Sequence, residues 1–189
     1  MEAAVPIVTA IIAGASLAGT TIEQMSTNIN TERNVAIQIS NYSKKYILKN
    51  PRVFTSSGYP HNPPQPTIRK ETREGCSFTK NPDKLFGCVG VLTYDVSENN
   101  KSKALSRFAI MFSVPYDYTK YENWFSIGLF DSERSCDESL FNLMYYEKGS
   151  FVRDNASSTE MKYEGELSIV KGTMSPRAKS IMKVEIWDK

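Results

Sequence analysis

The chain has 189 residues, with 23 Lys and Arg against 21 Asp and Glu, for a formal charge of +2. That length fits one domain with a real core, and so mild and scattered a charge gives no argument for a nucleic-acid partner. A single histidine, no HExxH, no GxSxG nucleophile elbow and no phosphate-cradling glycine loop leave no recognisable catalytic, metal or cofactor constellation, so we expect no enzyme.

Residues 1–19 have the apolar run and small residues of a cleavable leader. Their only early charge is Glu2 and the basic start is missing, so a working helix is preferred to a signal peptide. Ile11, Ala15, Ala18, Ile22, Met25 and Ile29 recur at steps of four and three, which places them in one helical stripe, with Ile12 and Leu17 off it. Ser16, Thr20, Glu23, Thr27 and Asn30 fall on the far side. As one helix, residues 8–31 would reach about 36 Å, enough to cross a hydrocarbon layer of about 30 Å. A hydroxylated, acidic face can cross only where it borders water, which implies several copies around a pore lined by those five residues and favouring cations. A helix packed on a sheet would carry the same stripe. Gly14 and Gly19 weaken the helix in isolation, which suits conditional insertion. Residues 1–33 are therefore read as an amphipathic membrane-inserting segment, and 34–189 as the rest of a single compact domain.

From Val35 the period becomes two: Val35, Ile37 and Ile39 alternate with Ala36, Gln38 and Ser40, and later Met182, Val184 and Ile186 alternate with Lys183 and Glu185. Apolar runs at 89–96, 108–114 and 124–130, separated by turn residues, complete the pattern of an antiparallel β-sandwich. Residues 60–66, Pro-rich around His61, read as an extended connection. Cys76, Cys88 and Cys136 lack CxxC or His spacing and are expected as small buried thiols, a Cys76 to Cys88 bridge being the alternative. Ser135 and Glu138 fit a capping box opening a helix that carries Leu140, Leu143 and Met144 and ends at Tyr145 and Tyr146. Asn-x-Ser sequons at Asn41, Asn100 and Asn155 are short enough to arise by chance.

Residues 111–125, MFSVPYDYTKYENWF, hold the densest aromatic cluster. Tyr116, Tyr118 and Tyr121 straddle Pro115, Asp117, Thr119 and Lys120, which reads as a loop rather than a core strand. Rings with apolar bodies and polar tips suit a membrane interface or a cage around a quaternary ammonium such as phosphocholine. Tyr116, Tyr118, Trp124 and Phe141 are the interface candidates; burial in a sandwich core is the competing reading for any one ring.

This segment closely resembles the signature loop and strand of the actinoporins, the pore-forming cytolysins best known from sea anemones. Thr9 to Leu17 (TAIIAGASL) resembles the start of the family's membrane-inserting helix, and Arg33 to Ile37 the start of its first core strand. Gly87-Cys88-Val89, Tyr145-Tyr146, Arg153-Asp154-Asn155 and Lys171-Gly172-Thr173-Met174 follow in the family's order. The resemblance implies a mainly β sandwich flanked by two α-helices. It also implies a secreted protein, monomeric in solution, that binds sphingomyelin or another phosphocholine lipid and assembles into a homo-oligomeric pore on a target cell membrane. Carried over residue by residue, the family's phosphocholine site falls on Ser57, Val89, Ser113, Pro115, Tyr121, Tyr145 and Tyr146. Phe141 stands where the family has a further tyrosine, Lys120 where it has an exposed aromatic, and Val152-Arg153-Asp154 where it has Arg-Gly-Asp. Cysteines set this chain apart from the familiar sea-anemone members and mark a divergent member. The alternatives are a non-lytic module that recognises lipid headgroups or carbohydrate on the same sandwich, and an intracellular interaction domain. Deleting residues 1–33 discriminates, because a pure binder keeps its activity.

Overall fold

Strands with one apolar face need a second layer to cover them, and here the chain supplies it as two sheets packed face to face. The computed structural model describes residues 11–157 and 159–189. In chain order its elements are β1 (Ile12–Ala13), a 3-10 turn (Ala15–Leu17), α1 (Ile22–Thr27), β2 (Asn34–Asn41), β3 (Ile47–Ser57), β4 (Tyr59–Asn62), β5 (Thr67–Ile68), β6 (Thr72–Thr79), β7 (Cys88–Ser97), β8 (Ser106–Val114), β9 (Trp124–Phe130), α2 (Glu138–Tyr146), β10 (Phe151–Asn155), β11 (Met161–Glu164), β12 (Ser168–Met174) and β13 (Lys179–Asp188). One sheet runs β1-β6-β2-β13-β12-β11, with β4 also paired to β6, and the other runs β10-β9-β8-β7-β3-β5.

Both alternating sets found in the sequence point into the space between the sheets. Val35, Ile37 and Ile39 of β2 and Met182, Val184 and Ile186 of β13 meet Leu92, Ile110, Phe112, Phe125 and Ile127 there. The outer faces are covered as well: Leu17, Ile22 and Met25 pack on Ala36, and Leu140, Phe141 and Met144 of α2 pack on Val91, Ala109 and Met111. This double cover explains why the run 89–96 does not alternate, since Leu92 faces the core while Val91 faces α2. The fold is the expected mainly β sandwich flanked by two helices. The pairings of β2 with β13 and of β1 with β6 are parallel, whereas the other ladders are antiparallel.

Residues 11–31 do not form the single helix that their spacing predicts; residues 8–10 lie outside the described residues. Ile12 and Ala13 pair with Thr72 and Arg73 of β6, a 3-10 turn follows, and α1 has six residues. The glycines set the breaks. Gly14 is extended, and a Cβ there would overlap the Glu74 carboxylate, while Gly19 takes φ +71°, a left-handed conformation that glycine adopts readily. The helical phase restarts after Gly19, so Leu17, placed off the stripe, is buried, and Ala15 and Ala18, placed on it, are exposed. From Ile22 onward the stripe holds, with Ile22, Met25 and Ile29 buried. Thr21 and Gln24 form a reciprocal capping box at the start of α1.

Two smaller expectations change. The cap of α2 is Asp137, not Ser135: its carboxylate accepts from the Leu140 amide at 3.0 Å, so the helix begins at Glu138. Of residues 60–66, only the first three lie in a strand, β4, and His61 is exposed. The three cysteines are free; Cys76 and Cys88 are buried in the core and Cys136 is half-buried. Burial pushes the Cys76 thiol up to about 12 and the Cys88 thiol upward too, which keeps both protonated and unreactive at neutral pH. Asn41 is buried, with its Nδ2 donating to the Tyr46 carbonyl at 2.9 Å, so that sequon is closed to a glycan in the folded chain.

Candidate functional site

Ser57, Val89, Ser113 and Trp124 lie directly opposite one another across β3, β7, β8 and β9. Opposed residues in an antiparallel ladder share a face, and this row continues the Val91 and Met111 face that α2 covers. A bulge at Ser56 makes the register work, because Thr55 pairs with Gly90 and Ser57 with Val89. The last turn of α2 then brings Phe141 and Tyr145, four residues apart, over the row.

The result is a groove of about 450 Å³ whose walls include all seven residues of the expected phosphocholine site: Ser57, Val89, Ser113, Pro115, Tyr121, Tyr145 and Tyr146. That volume is in the usual range for a small-ligand site, about 300–1,000 Å³. Tyr121 is 63% exposed and Tyr146 70%, so their faces are open to a ligand, and the Tyr145 and Tyr146 rings meet edge to face at 4.6 Å. Such faces can hold a quaternary ammonium, while the tyrosine hydroxyls and Ser113 can donate to phosphate oxygens. The Ser57 hydroxyl instead donates to the Gly87 carbonyl at 2.8 Å and fixes the opposite rim.

The four interface candidates separate. Tyr118 and Trp124 line a neighbouring hollow of about 360 Å³ with Lys120, which shares Tyr121 and Tyr145 with the groove. Phe141 is only 6% exposed and belongs to the packing under the groove, its ring tilted against those of Phe54 and Tyr145, so it supports rather than meets an interface. The Tyr116 ring is half-buried and faces cations of the protein itself, with Arg33 at 5.0 Å and Lys80 at 5.8 Å. The pore-lining set divides too. Thr20, Glu23, Thr27 and Asn30 are at least partly open to solvent, whereas Ser16 turns toward the sheet, where its hydroxyl donates to Glu74 and accepts from the Gly75 amide.

Three further residues build the site. Arg33 donates from Nε to the Pro115 and Tyr116 carbonyls, both at 3.1 Å, and from Nη2 to Tyr116 at 2.7 Å, while its guanidinium also lies 5.1 Å from the Tyr118 ring. It pins the aromatic loop from a position immediately before β2. Asp117 closes the loop's turn by accepting from the Thr119 hydroxyl at 2.6 Å and amide at 2.9 Å. Those bonds, with the nearby Lys120 ammonium, hold the Asp117 carboxyl below its ordinary value. The Tyr118 phenol donates to Asn123 at 2.7 Å, and burial raises its pKa against the opposing pull of Arg33. Arg153, in the altered triplet, donates to the Met144 and Glu147 carbonyls and so caps the end of α2 that carries the tyrosine pair. Sequence spacing could not reveal the Arg33 link, since Arg33 lies 82 residues from Pro115, whereas the Asp117 to Thr119 turn spans two residues and carries a local signal. Leu85, Phe86 and Gly87 on the far rim were also unforeseen.

The fold and site define a helix-flanked β-sandwich that presents an open aromatic groove at one end. The chain belongs to the sea anemone cytotoxic protein family, whose profile matches residues 6–188. It is 28% identical to DELTA-actitoxin-Aeq1a of Actinia equina, with 94% of this chain and 79% of that protein aligned. It is 30% identical to the deep sea actinoporin Cjtox II of Cribrinopsis japonica over 77% of this chain and 64% of that one. Among solved structures, the lipid binding protein Nakanori superposes with a TM-score of 0.66 over 89% of this chain and 77% of its own, at 11% identity, a likeness of fold alone. Membership makes this chain one of a family of non-enzymatic, pore-forming cytolysins that bind membrane lipids and oligomerise. Among the described residues no helix is long and apolar enough to cross a membrane.

Proposed function

We propose that the protein is a secreted cytolysin, monomeric in solution, that seats a phosphocholine headgroup, that of sphingomyelin included, in the groove. It then releases the segment that precedes Arg33, which stays on the aromatic loop, and assembles with other copies into a cation-preferring pore on a target cell membrane. The observation that carries this reading is the convergence of four separate chain segments on one groove with open tyrosine faces and hydroxyl donors. Glu23, Thr27 and Asn30 on the exposed side of the released segment give the pore its acidic, hydroxylated lining.

The test is dye release from phosphatidylcholine vesicles with and without sphingomyelin, with binding recorded on the same samples. Binding and leakage that both rise with sphingomyelin are expected. Binding without leakage supports a non-lytic headgroup-binding module instead. The contacts that fasten residues 11–31 to the sheet in this conformation favour that second reading, and so does Lys120, which cannot sink into an interface as an aromatic would. Deleting residues 1–31 separates the two. Because Arg33 supports the aromatic loop, the deletion has to stop short of it.

A further inference from the structure

The far rim of the groove holds a feature that headgroup recognition does not use. Leu85 is 74% exposed and Phe86 62%, side by side in the connection between β6 and β7. The connection is firmly held. Buried Lys80 donates to the Asn81 and Pro82 carbonyls at 3.0 and 3.3 Å, and the Lys84 amide closes a turn on the Asn81 carbonyl. Its other end is pinned by Ser57 and by Gly87, where a Cβ would collide with the Val114 carbonyl. Two large apolar side chains are thus held out in water by an ordered frame, an arrangement that costs solvation free energy unless a partner covers them.

We propose that Leu85 and Phe86 are a second membrane anchor, which enters the boundary between headgroups and acyl chains without reading headgroup chemistry. The occupant follows from continuity: the pair lines the same groove as Tyr121, Tyr145 and Tyr146, so a lipid whose headgroup sits in that groove brings its own bilayer against this rim. It also stands in for the aromatic loop, whose tip at Lys120 presents an exposed ammonium that stays at the headgroup level. The inference rests on the membrane-binding reading above but not on which headgroup the groove takes.

The experiment compares the full chain with the Leu85→Ser/Phe86→Ser double variant. Partition is measured into vesicles of phosphatidylcholine with and without sphingomyelin, and soluble phosphocholine is titrated by NMR. Losing two large apolar contacts should weaken partition into both vesicles by about tenfold or more, well beyond any change in the phosphocholine titration, whose cation and phosphate contacts fall to the tyrosines and Ser113; an equal loss in both readouts overturns the anchor. Partition equal to that of the unaltered chain overturns the anchor while leaving the groove intact. No phosphocholine shift in either protein, together with the loss of partition, keeps the anchor and removes the headgroup reading. A Phe86→Trp variant supplies the geometry: its added emission should move to the blue on vesicles and be quenched by lipids brominated near the glycerol. A blue shift that follows protein concentration without lipid would make the pair a contact between copies and overturn the proposal.

Discussion

The groove and residues 11–31 are held to the sandwich by different means. The groove's floor is a row of neighbours in continuous ladders, Ser57, Val89, Ser113 and Trp124, covered by a helix whose side chains reach into a packed layer. The N-terminal segment lies on the outer face of the other sheet, held by a two-residue strand, a small patch around Leu17, Ile22 and Met25, and a few polar links. Chief among these links is Glu74, a buried carboxylate on β6 that accepts from the Ala15 and Ser16 amides at 3.0 and 2.9 Å as well as from the Ser16 hydroxyl. On the proposed function, the site that takes a headgroup is built in advance, whereas the segment to be released is joined by a small apolar patch and polar links that have to break.

The contrast breaks most sharply at the tyrosines. Tyr121→Ala with Tyr146→Ala, the two most exposed rings of the groove, should lower vesicle affinity by more than about tenfold, the scale of losing two aromatic faces, and leave the melting temperature nearly unchanged. Unaltered binding would remove the groove from the account. Next in size, Glu74→Ala should loosen the segment without touching the groove. Bonds to a charged group contribute about 1.5–3 kcal/mol each, and the three on Glu74 share one acceptor and add incompletely, so a loss of at least about 3 kcal/mol is expected in thermal or denaturant unfolding. Leakage per bound molecule should then be faster at equal vesicle affinity; slower leakage would mean that Glu74 serves the pore rather than the resting fold.

Smaller still is the pH response of the aromatic loop. The Asp117 carboxyl is held below its ordinary value by the Thr119 bonds and then by Lys120, so its contribution to loop order is complete above the usual carboxylate range and is lost as pH falls through its lowered value. Vesicle binding, recorded on pure phosphatidylcholine to keep lipid charge constant, should therefore be flat from neutral pH down to the ordinary Asp value of about 4 and fall only below it. Asp117→Asn should flatten that acid limb. The smallest effect belongs to the exposed pair of Glu23 and Lys183, 2.8 Å apart: Lys183→Gln should change stability by less than about 1 kcal/mol.

The same comparison shows what a sequence can and cannot reveal. The ladders of β2 and β13 were legible because alternation is a local signal and one face of each strand meets the core. The seven groove residues were legible through family resemblance, and β-ladder register then brought together positions far apart in the chain. The N-terminal segment misled because its stripe is periodic, while the breaks at Gly14 and Gly19 are enforced by Glu74, sixty residues away, and by a left-handed turn. Arg33 and Arg153 were invisible as positioning residues for a similar reason, since their partners are carbonyl groups, which carry no side-chain signature. The parallel pairing of β2 with β13 had no local signal either, because it joins the chain's first long strand to its last.

The central claim, that the protein binds through a ready-made groove and acts by freeing its N-terminal segment, is tested most directly by a tether. Cysteines replacing Glu23 and Lys183, whose side chains meet in the structure, are joined by a bifunctional thiol reagent, with Cys136→Ser removing the half-buried thiol. Binding and dye release are then recorded on the same sphingomyelin-containing vesicles before and after the linker is cleaved. Full binding without leakage in the tethered form, with leakage restored on cleavage, is the predicted result. Leakage from the tethered protein equal to that of the released form would contradict the account.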